Sequence, residues 1–408
     1  MSAKRLFCFV FFLLPVSVLV AQPKAIFIIL DGISADVLEK VSTPAIDEIA
    51  SCGAYTRAYT GGLKGHHSQS PTVSAVGYNH ILTGTWSYKH NVWDNAIKEP
   101  NYHYWNIFRL AKQSNPALQT AIFSTWLDNR TKLVGDGLPE AGNITIDYAF
   151  DGFELNEEKF PHDPEKKYIL AIDEYVADEA ARYIREQAPD LSWVYLEYTD
   201  DAGHRYGDGV EYEEAIRKAD GQVNRIWESV KYRESVFKED WLVLVTTDHG
   251  RDATTGKEHG GQSDRERTVW ISTNSKKLNE KFGKQTAAVD ILPSMVRHMD
   301  FQLPLQLEQE WDGIPFIGKI SLGDLTVTKR TKKLLLSWTV YDPQGVAEIY
   351  VSVSNHFKEG VYDPYALAAK RKVAKGSAEL SLTRHQSDFY KIVIKAPFNT
   401  AQAWVFVQ

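Results

Sequence analysis

The stretch that most constrains the fold is Ala25-Ile26-Phe27-Ile28-Ile29-Leu30, an unbroken apolar run that stops at Asp31. A strand with one wet face alternates apolar and polar residues. An unbroken run instead suits the middle of a parallel sheet covered on both faces. Similar runs recur at 191–198 and 241–247, with a shorter one at 269–272. Between them Ile172, Tyr175, Val176, Tyr183 and Ile184 recur at the helical period, as do Tyr212, Ile216, Ala219, Val223, Ile226, Trp227 and Val230. Strands alternating with amphipathic helices predict an α/β fold with a doubly wound, mostly parallel sheet, here over residues 23–318.

Beyond Gly318 the texture changes. The segments 334–340, 346–354, 378–382 and 389–396 are short, β-rich and bounded by turns, and most have no helical pattern between them. This predicts a small all-β sandwich over 320–408, close to the roughly 100-residue immunoglobulin-like size. Trp338 and Tyr390 resemble the core Trp and Tyr of fibronectin type III modules. Such a module is expected to contact another domain or surface.

At the N-terminus, Lys4 and Arg5 precede an apolar run over 6–20 and then Ala21-Gln22-Pro23. That is the layout of a cleaved export signal over 1–21, with an uncleaved anchor as the alternative. Removing it leaves no further apolar stretch long enough to span a membrane, and the expected location is periplasmic or secreted. Cys52 would then be the only cysteine, so no internal disulfide can form. The net charge of −7 argues against a partner as anionic as a nucleic-acid backbone. A small phosphate ester stays compatible, because bound metal ions reverse the field locally.

Candidate chemistry lies at the carboxyl ends of the predicted strands, where open α/β sheets bind their ligands. Asp31 follows the first run, Asp200 and Asp201 follow the second, and Asp248-His249 follow the third. With His204 and the glycine-flanked His259, these residues offer oxygen and nitrogen donors suited to zinc. Ser74 reads as the N-cap or first residue of a short helix ended by Gly84. There it is either a plain capping serine or a nucleophile favoured by the helix N-terminus and an adjacent metal.

Five motifs occur in order: Ile29-Leu30-Asp31-Gly32; Thr72-Val73-Ser74-Ala75-Val76-Gly77-Tyr78 with Leu82-Thr83-Gly84; Asp200 through Gly203-His204 to Gly207; Thr247-Asp248-His249-Gly250; and Glu258-His259-Gly260-Gly261. Together they resemble the signature of the alkaline phosphatase superfamily, most of all its type I phosphodiesterase/nucleotide pyrophosphatase branch. The resemblance covers residues 25–300 and excludes the β-rich tail. It implies two Zn²⁺ ions, one surrounded by Asp31, Ser74, Asp248 and His249, the other by Asp200, His204 and His259. It selects Asp200 over Asp201 as the ligand. It makes Ser74 the nucleophile of a covalent phospho-enzyme that water then hydrolyses.

By the same resemblance, Asn95 either donates to a phosphoryl oxygen or simply closes a turn. Arg130 is either an electrostatic clamp on a non-bridging oxygen or a surface residue. Two departures leave diester and monoester substrates both open. Gly77 stands where many nucleotide pyrophosphatases have asparagine, and Asp128 stands where monoesterases have a lysine two residues before arginine. The missing Pro and Arg after Ser74 argue against a sulfatase, and the missing spans against a lipid-phosphate transferase. A non-catalytic binding protein on the same fold is the alternative from another class, and the complete donor set argues against it.

Overall fold

The apolar run after residue 22 is strand β1 (Pro23–Leu30), the middle strand of a seven-stranded sheet. The structure is a computed structural model describing residues 22–382 and 387–407, so the export signal expected at 1–21 lies outside the described residues. With β1 the sheet contains β2 (Ala54–Tyr59), β3 (Thr120–Ser124), β4 (Tyr148–Phe150), β5 (Leu191–Leu196), β6 (Asp240–Thr246) and β7 (Thr268–Thr273), in the order β2-β7-β6-β1-β5-β3-β4. β1 is parallel to both β5 and β6, and β3 is parallel to β5 and β4. Only β7 runs antiparallel to its neighbours β6 and β2.

The unbroken apolar character of β1 follows from this central position. Ala25, Phe27 and Ile29 belong to the core on one face, and Ile26, Ile28 and Leu30 to the core on the other. Helices Ser74–Thr83, Ile107–Ser114 and Ile291–His298 cover the first face. Helices Pro44–Cys52, Lys167–Gln187 and Val210–Phe237 cover the second. Among the described residues no helix is long and apolar enough to cross a membrane.

The tail forms β8 (Leu322–Arg330), β9 (Lys333–Val340), β10 (Val346–Ser352), β11 (Ala366–Lys372), β12 (Ser377–Ser381), β13 (Phe389–Lys395) and β14 (Thr400–Phe406). They make a three-stranded sheet, β12-β9-β8, and a four-stranded sheet, β11-β10-β13-β14. Leu334, Leu336 and Trp338 of the first pack with Ile349, Tyr390, Ile392 and Ile394 of the second, a β-sandwich core. Trp338 is fixed by its indole N–H, which donates to Val373 O (3.0 Å). Ile314, ahead of the sandwich, packs in the same core.

A buried ionic cluster fastens the sandwich to the α/β part. Lys391 Nζ meets Glu310 Oε1 at 2.8 Å and Asp363 Oδ2 at 2.6 Å, while Lys89 Nζ meets Asp312 Oδ1 at 3.0 Å. Both ammonium groups lie close to the Trp404 ring, Lys391 at 4.9 Å and Lys89 at 5.1 Å from its centroid.

Candidate metal centre

Parallel strands end on the same edge of the sheet, and that edge gathers the chemistry. Asp31 follows β1, and Asp248 and His249 follow β6. β5 ends at Leu196 rather than at Tyr198, because the chain turns there into helix Tyr198–Tyr206. The Asp173 carboxylate caps this turn, accepting from the backbone N–H of Glu197 (3.0 Å) and Tyr198 (2.8 Å). Asp200 and His204 therefore share one helical face at i, i+4 rather than sitting on a strand end and a returning turn. The ligating atoms of Asp31, Asp248 and His249 all lie within 4.8 Å of one another, as do those of Asp200, His249 and His259. His204 Nε2 joins the second group, 3.2 Å from Asp200 Oδ2 and 3.1 Å from His259 Nε2. The His249 and His259 rings stack with centroids 3.8 Å apart, so the two groups are contiguous.

Asp31 and Asp248 are each held through one oxygen. Asp31 Oδ2 accepts from the Tyr195 hydroxyl (2.7 Å) and from Tyr78, while its Oδ1 is buried with no partner. Asp248 Oδ1 accepts from the Gly32 N–H (3.1 Å), and its Oδ2 is likewise buried and unpartnered. Asp200 Oδ1 accepts from Arg251 Nη2 (2.5 Å), and its Oδ2 faces His204. Asp201 instead turns toward Lys166 (3.7 Å), which leaves Asp200 as the carboxylate of this group.

The imidazoles follow the same rule. His249 Nδ1 lies 3.0 Å from Gly250 O, and His259 Nδ1 lies 2.9 Å from Thr72 O. A carbonyl only accepts, so both Nδ1 atoms carry the proton and each Nε2 presents a lone pair inward. Converging oxygen and nitrogen lone pairs, with buried carboxylate oxygens left unpartnered, are the donor set a divalent cation satisfies. The residues fit a metal pair.

The titration behaviour agrees. Burial, then the charges of Asp248 and Asp200, lifts Asp31 well above the ordinary carboxylate range, and burial pushes Asp248 up to about 7. Burial also works to raise Asp200, but the His204 hydrogen bond and the Arg251 charge carry it below its usual value. Burial, then the charge of His259, keeps His249 neutral.

Ser74 is the first residue of its helix, and its Oγ is 3.4 Å from His249 Nε2. Gly77 explains one sequence departure. A Cβ there would lie 2.7 Å from Asp248 O and 2.8 Å from Asp248 Cβ, so helix Ser74–Thr83 approaches the centre only without a side chain at this position. Asn95 comes in from the neighbouring loop, and its Oδ1 accepts from the Ala75 N–H (3.0 Å), which leaves its Nδ2 donors available beside Ser74. Arg130 is engaged elsewhere. Its Nε and Nη2 donate to Asp151 and its Nη1 to Asp136, so the guanidinium is taken up by two carboxylates rather than presented to the centre.

Tyr78, Tyr195, Asp173 and Arg251 support the site but were not singled out as functional from the sequence. Tyr78 and Arg251 lie inside or next to quoted motifs, which was the available signal; Tyr195 and Asp173 carry none.

A family model for type I phosphodiesterase/nucleotide pyrophosphatase matches residues 25–298. The chain is 22% identical over 243 residues to human ectonucleotide pyrophosphatase/phosphodiesterase family member 1, covering 58% of this chain and 24% of that protein. It thus spans about a quarter of the length of that curated relative. The crystal structure of phosphonate monoester hydrolase of Agrobacterium radiobacter superposes with a TM-score of 0.52 at 14% identity, covering 94% of this chain and 89% of that one, a likeness of fold. Murine ectonucleotide pyrophosphatase/phosphodiesterase 5 gives a TM-score of 0.46 at 12% identity over 69% of this chain and 96% of that chain. The match over residues 25–298 takes in all seven strands of the sheet but for the first two residues of β1, and every residue of the centre; the chain belongs to the type I phosphodiesterase/nucleotide pyrophosphatase family.

Proposed function

We propose that the protein is an exported two-zinc phosphoric-ester hydrolase, most like a phosphodiesterase or nucleotide pyrophosphatase, with Ser74 as nucleophile. Its catalytic domain would be residues 23–318 and its accessory sandwich residues 320–408. The observation that carries this reading is the pair of buried, unpartnered oxygens on Asp31 and Asp248, lying with His249 Nε2 beside the Ser74 hydroxyl. Asp31, Ser74, Asp248 and His249 would hold one ion, and Asp200, His204 and His259 the other. Bound there, the ions would supply Lewis acidity, favouring the alkoxide of Ser74 and the charge on the leaving oxygen.

Ser74 Oγ then attacks phosphorus, forming a Ser74–phosphorus bond as the bond to the leaving oxygen breaks. The N-terminus of helix Ser74–Thr83 favours the anionic group beside it, and Asn95 Nδ2 donates to a non-bridging oxygen. In the second half-reaction water attacks phosphorus as the Ser74–phosphorus bond breaks; one proton of that water replaces the one the Ser74 hydroxyl lost to the leaving oxygen, and the water oxygen stays on the phosphate.

A diester is favoured over a monoester. The extra negative charge of a monoester calls for additional cations, yet Arg130 is neutralised by Asp136 and Asp151, and Lys132 pairs with Asp128 at 2.7 Å.

The test is turnover of bis-p-nitrophenyl phosphate against p-nitrophenyl phosphate by zinc-loaded protein. The diester is expected to react faster, and Ser74→Ala to lose at least about 10³-fold with both ions still bound. An undiminished Ser74→Ala rate removes the nucleophile assignment, and a faster monoester overturns the substrate class. Chelation is expected to abolish turnover, with recovery by zinc; recovery by magnesium alone contradicts a zinc site built from histidines.

A further inference from the structure

We propose that Arg251 sets the two metal positions apart: the one among Asp31, Asp248 and His249 fills first and tightly, while the one among Asp200, His204 and His259 holds an exchangeable ion. This rests on the two-metal reading above and adds an order of loading to it.

Arg251 is fully buried and built in. Its Nη2 donates to both Asp200 Oδ1 and Asp200 O at 2.5 Å, its Nη1 to Lys257 O at 2.8 Å, and its backbone N–H to Ser34 Oγ at 3.1 Å. A Cβ on Gly203 would sit 2.0 Å from Arg251 Nε, so helix Tyr198–Tyr206 is shaped around the guanidinium. The guanidinium is a cation packed directly against the backbone of that helix.

The two donor sets consequently differ in charge. Asp31 and Asp248 bring two negative charges, and the groups that hold them are neutral: the phenols of Tyr78 and Tyr195, the Gly32 N–H and the Thr247 hydroxyl. Asp200 brings one negative charge, and Arg251 cancels it. Neighbouring charges do not restore the balance, because Asp201 is matched by Lys166 and Glu258 is exposed and screened by water. Accessibility points the same way. The side chains of Asp31, Asp248 and His249 are at most 3% exposed, whereas that of His204 is 39% exposed. Dication affinity rises with the negative charge of the donor set, and a water-accessible ligand lets the ion exchange.

The experiment equilibrates the metal-free full chain with zinc in chelator-buffered solutions and counts bound ions by native mass spectrometry. The expected result is a plateau at one ion per chain that spans about a hundredfold in free zinc before the second binds. His204→Ala should abolish the second step only, and Asp248→Asn the first. Arg251→Gln should move the second step to at least about tenfold lower free zinc, while Arg251→Lys, which keeps the charge, should hold it within about threefold. Two ions entering in one unresolved step overturn the proposal. So does an Arg251→Gln protein with unchanged circular dichroism and an unchanged or weakened second step. If Arg251→Gln does not fold, the plateau and the His204→Ala result decide alone. No zinc uptake at all brings down the two-metal reading itself.

Discussion

Asp31 illustrates how single residues tune the centre. Two phenols converge on its Oδ2 and leave Oδ1 as the inward oxygen. A carboxylate fixed this way loses no rotamer freedom on taking a ligand, and hydrogen bonds around a site support metal binding by 10- to 100-fold, in order-of-magnitude terms. Tyr195→Phe keeps the buried ring but removes one of these bonds. It is expected to weaken divalent-metal binding at Asp31 about tenfold while the fold persists, measured by chelator competition alongside circular dichroism. Gly77 and Asn95 form a second residue-scale pair. The close approach of helix Ser74–Thr83 to Asp248 forbids a side chain at 77, while the Asn95 amide comes in from the neighbouring loop and accepts from the Ala75 N–H beside Ser74. Asn129 heads a glycosylation sequon, but it is fully buried with its Nδ2 bonded to Ser124 Oγ, which rules it out as an acceptor.

Helix Tyr198–Tyr206 shows how one element places Asp200 and His204 together. Its first turn is held by Asp173, which also accepts from Thr125 Oγ1 at 2.5 Å. Burial outweighs these bonds and pushes the Asp173 carboxyl up to about 7. The unfolded-state value is about 3.9, so the folded protein binds the proton more tightly than the unfolded chain between those limits. The sign follows: this contribution is fully present below about pH 4 and is lost as pH rises through about 7. Asp173→Asn removes the titration. Its stability relative to wild type is expected to improve between pH 5 and pH 8 by on the order of 3 kcal/mol, read from urea unfolding of metal-free protein. An unchanged difference across that range would place the charge elsewhere.

At the scale of the molecule, the sandwich is joined to the α/β part by the Lys391, Glu310, Asp363, Lys89 and Asp312 cluster around Trp404. Lys89 lies in the last turn of the short helix Ser87–His90, from which the chain runs directly into the loop carrying Asn95. Docking of the tail and the shape of that loop are therefore linked. Lys391→Met leaves two buried carboxylates without their cation and is expected to cost about 3–5 kcal/mol, seen as a lower thermal midpoint of the full chain. Retained stability would mean that apolar packing alone holds the sandwich in place.

The sequence by itself determined the elements whose burial is written along one stretch of chain. Unbroken runs marked β1, β5, β6 and β7, and the helical period marked Lys167–Gln187 and Val210–Phe237, because burial on both faces or on one stripe imposes a local pattern. Strands that are very short or partly exposed, such as β4 and β11, leave little pattern and were missed. The residue types of the centre were legible as well, since acids and histidines stood at strand ends. The choice of Asp200 over Asp201 was legible too, from the motif spacing, and only the tertiary structure decided which oxygen of each carboxylate faces inward and that Arg130 is spent on Asp136 and Asp151. Those outcomes depend on pairs such as Asp31 with Tyr195, 164 residues apart, and Asp200 with Arg251, 51 apart. Periodicity reports how one segment meets its surroundings. Which distant segment supplies the partner is set by the order of strands in the sheet.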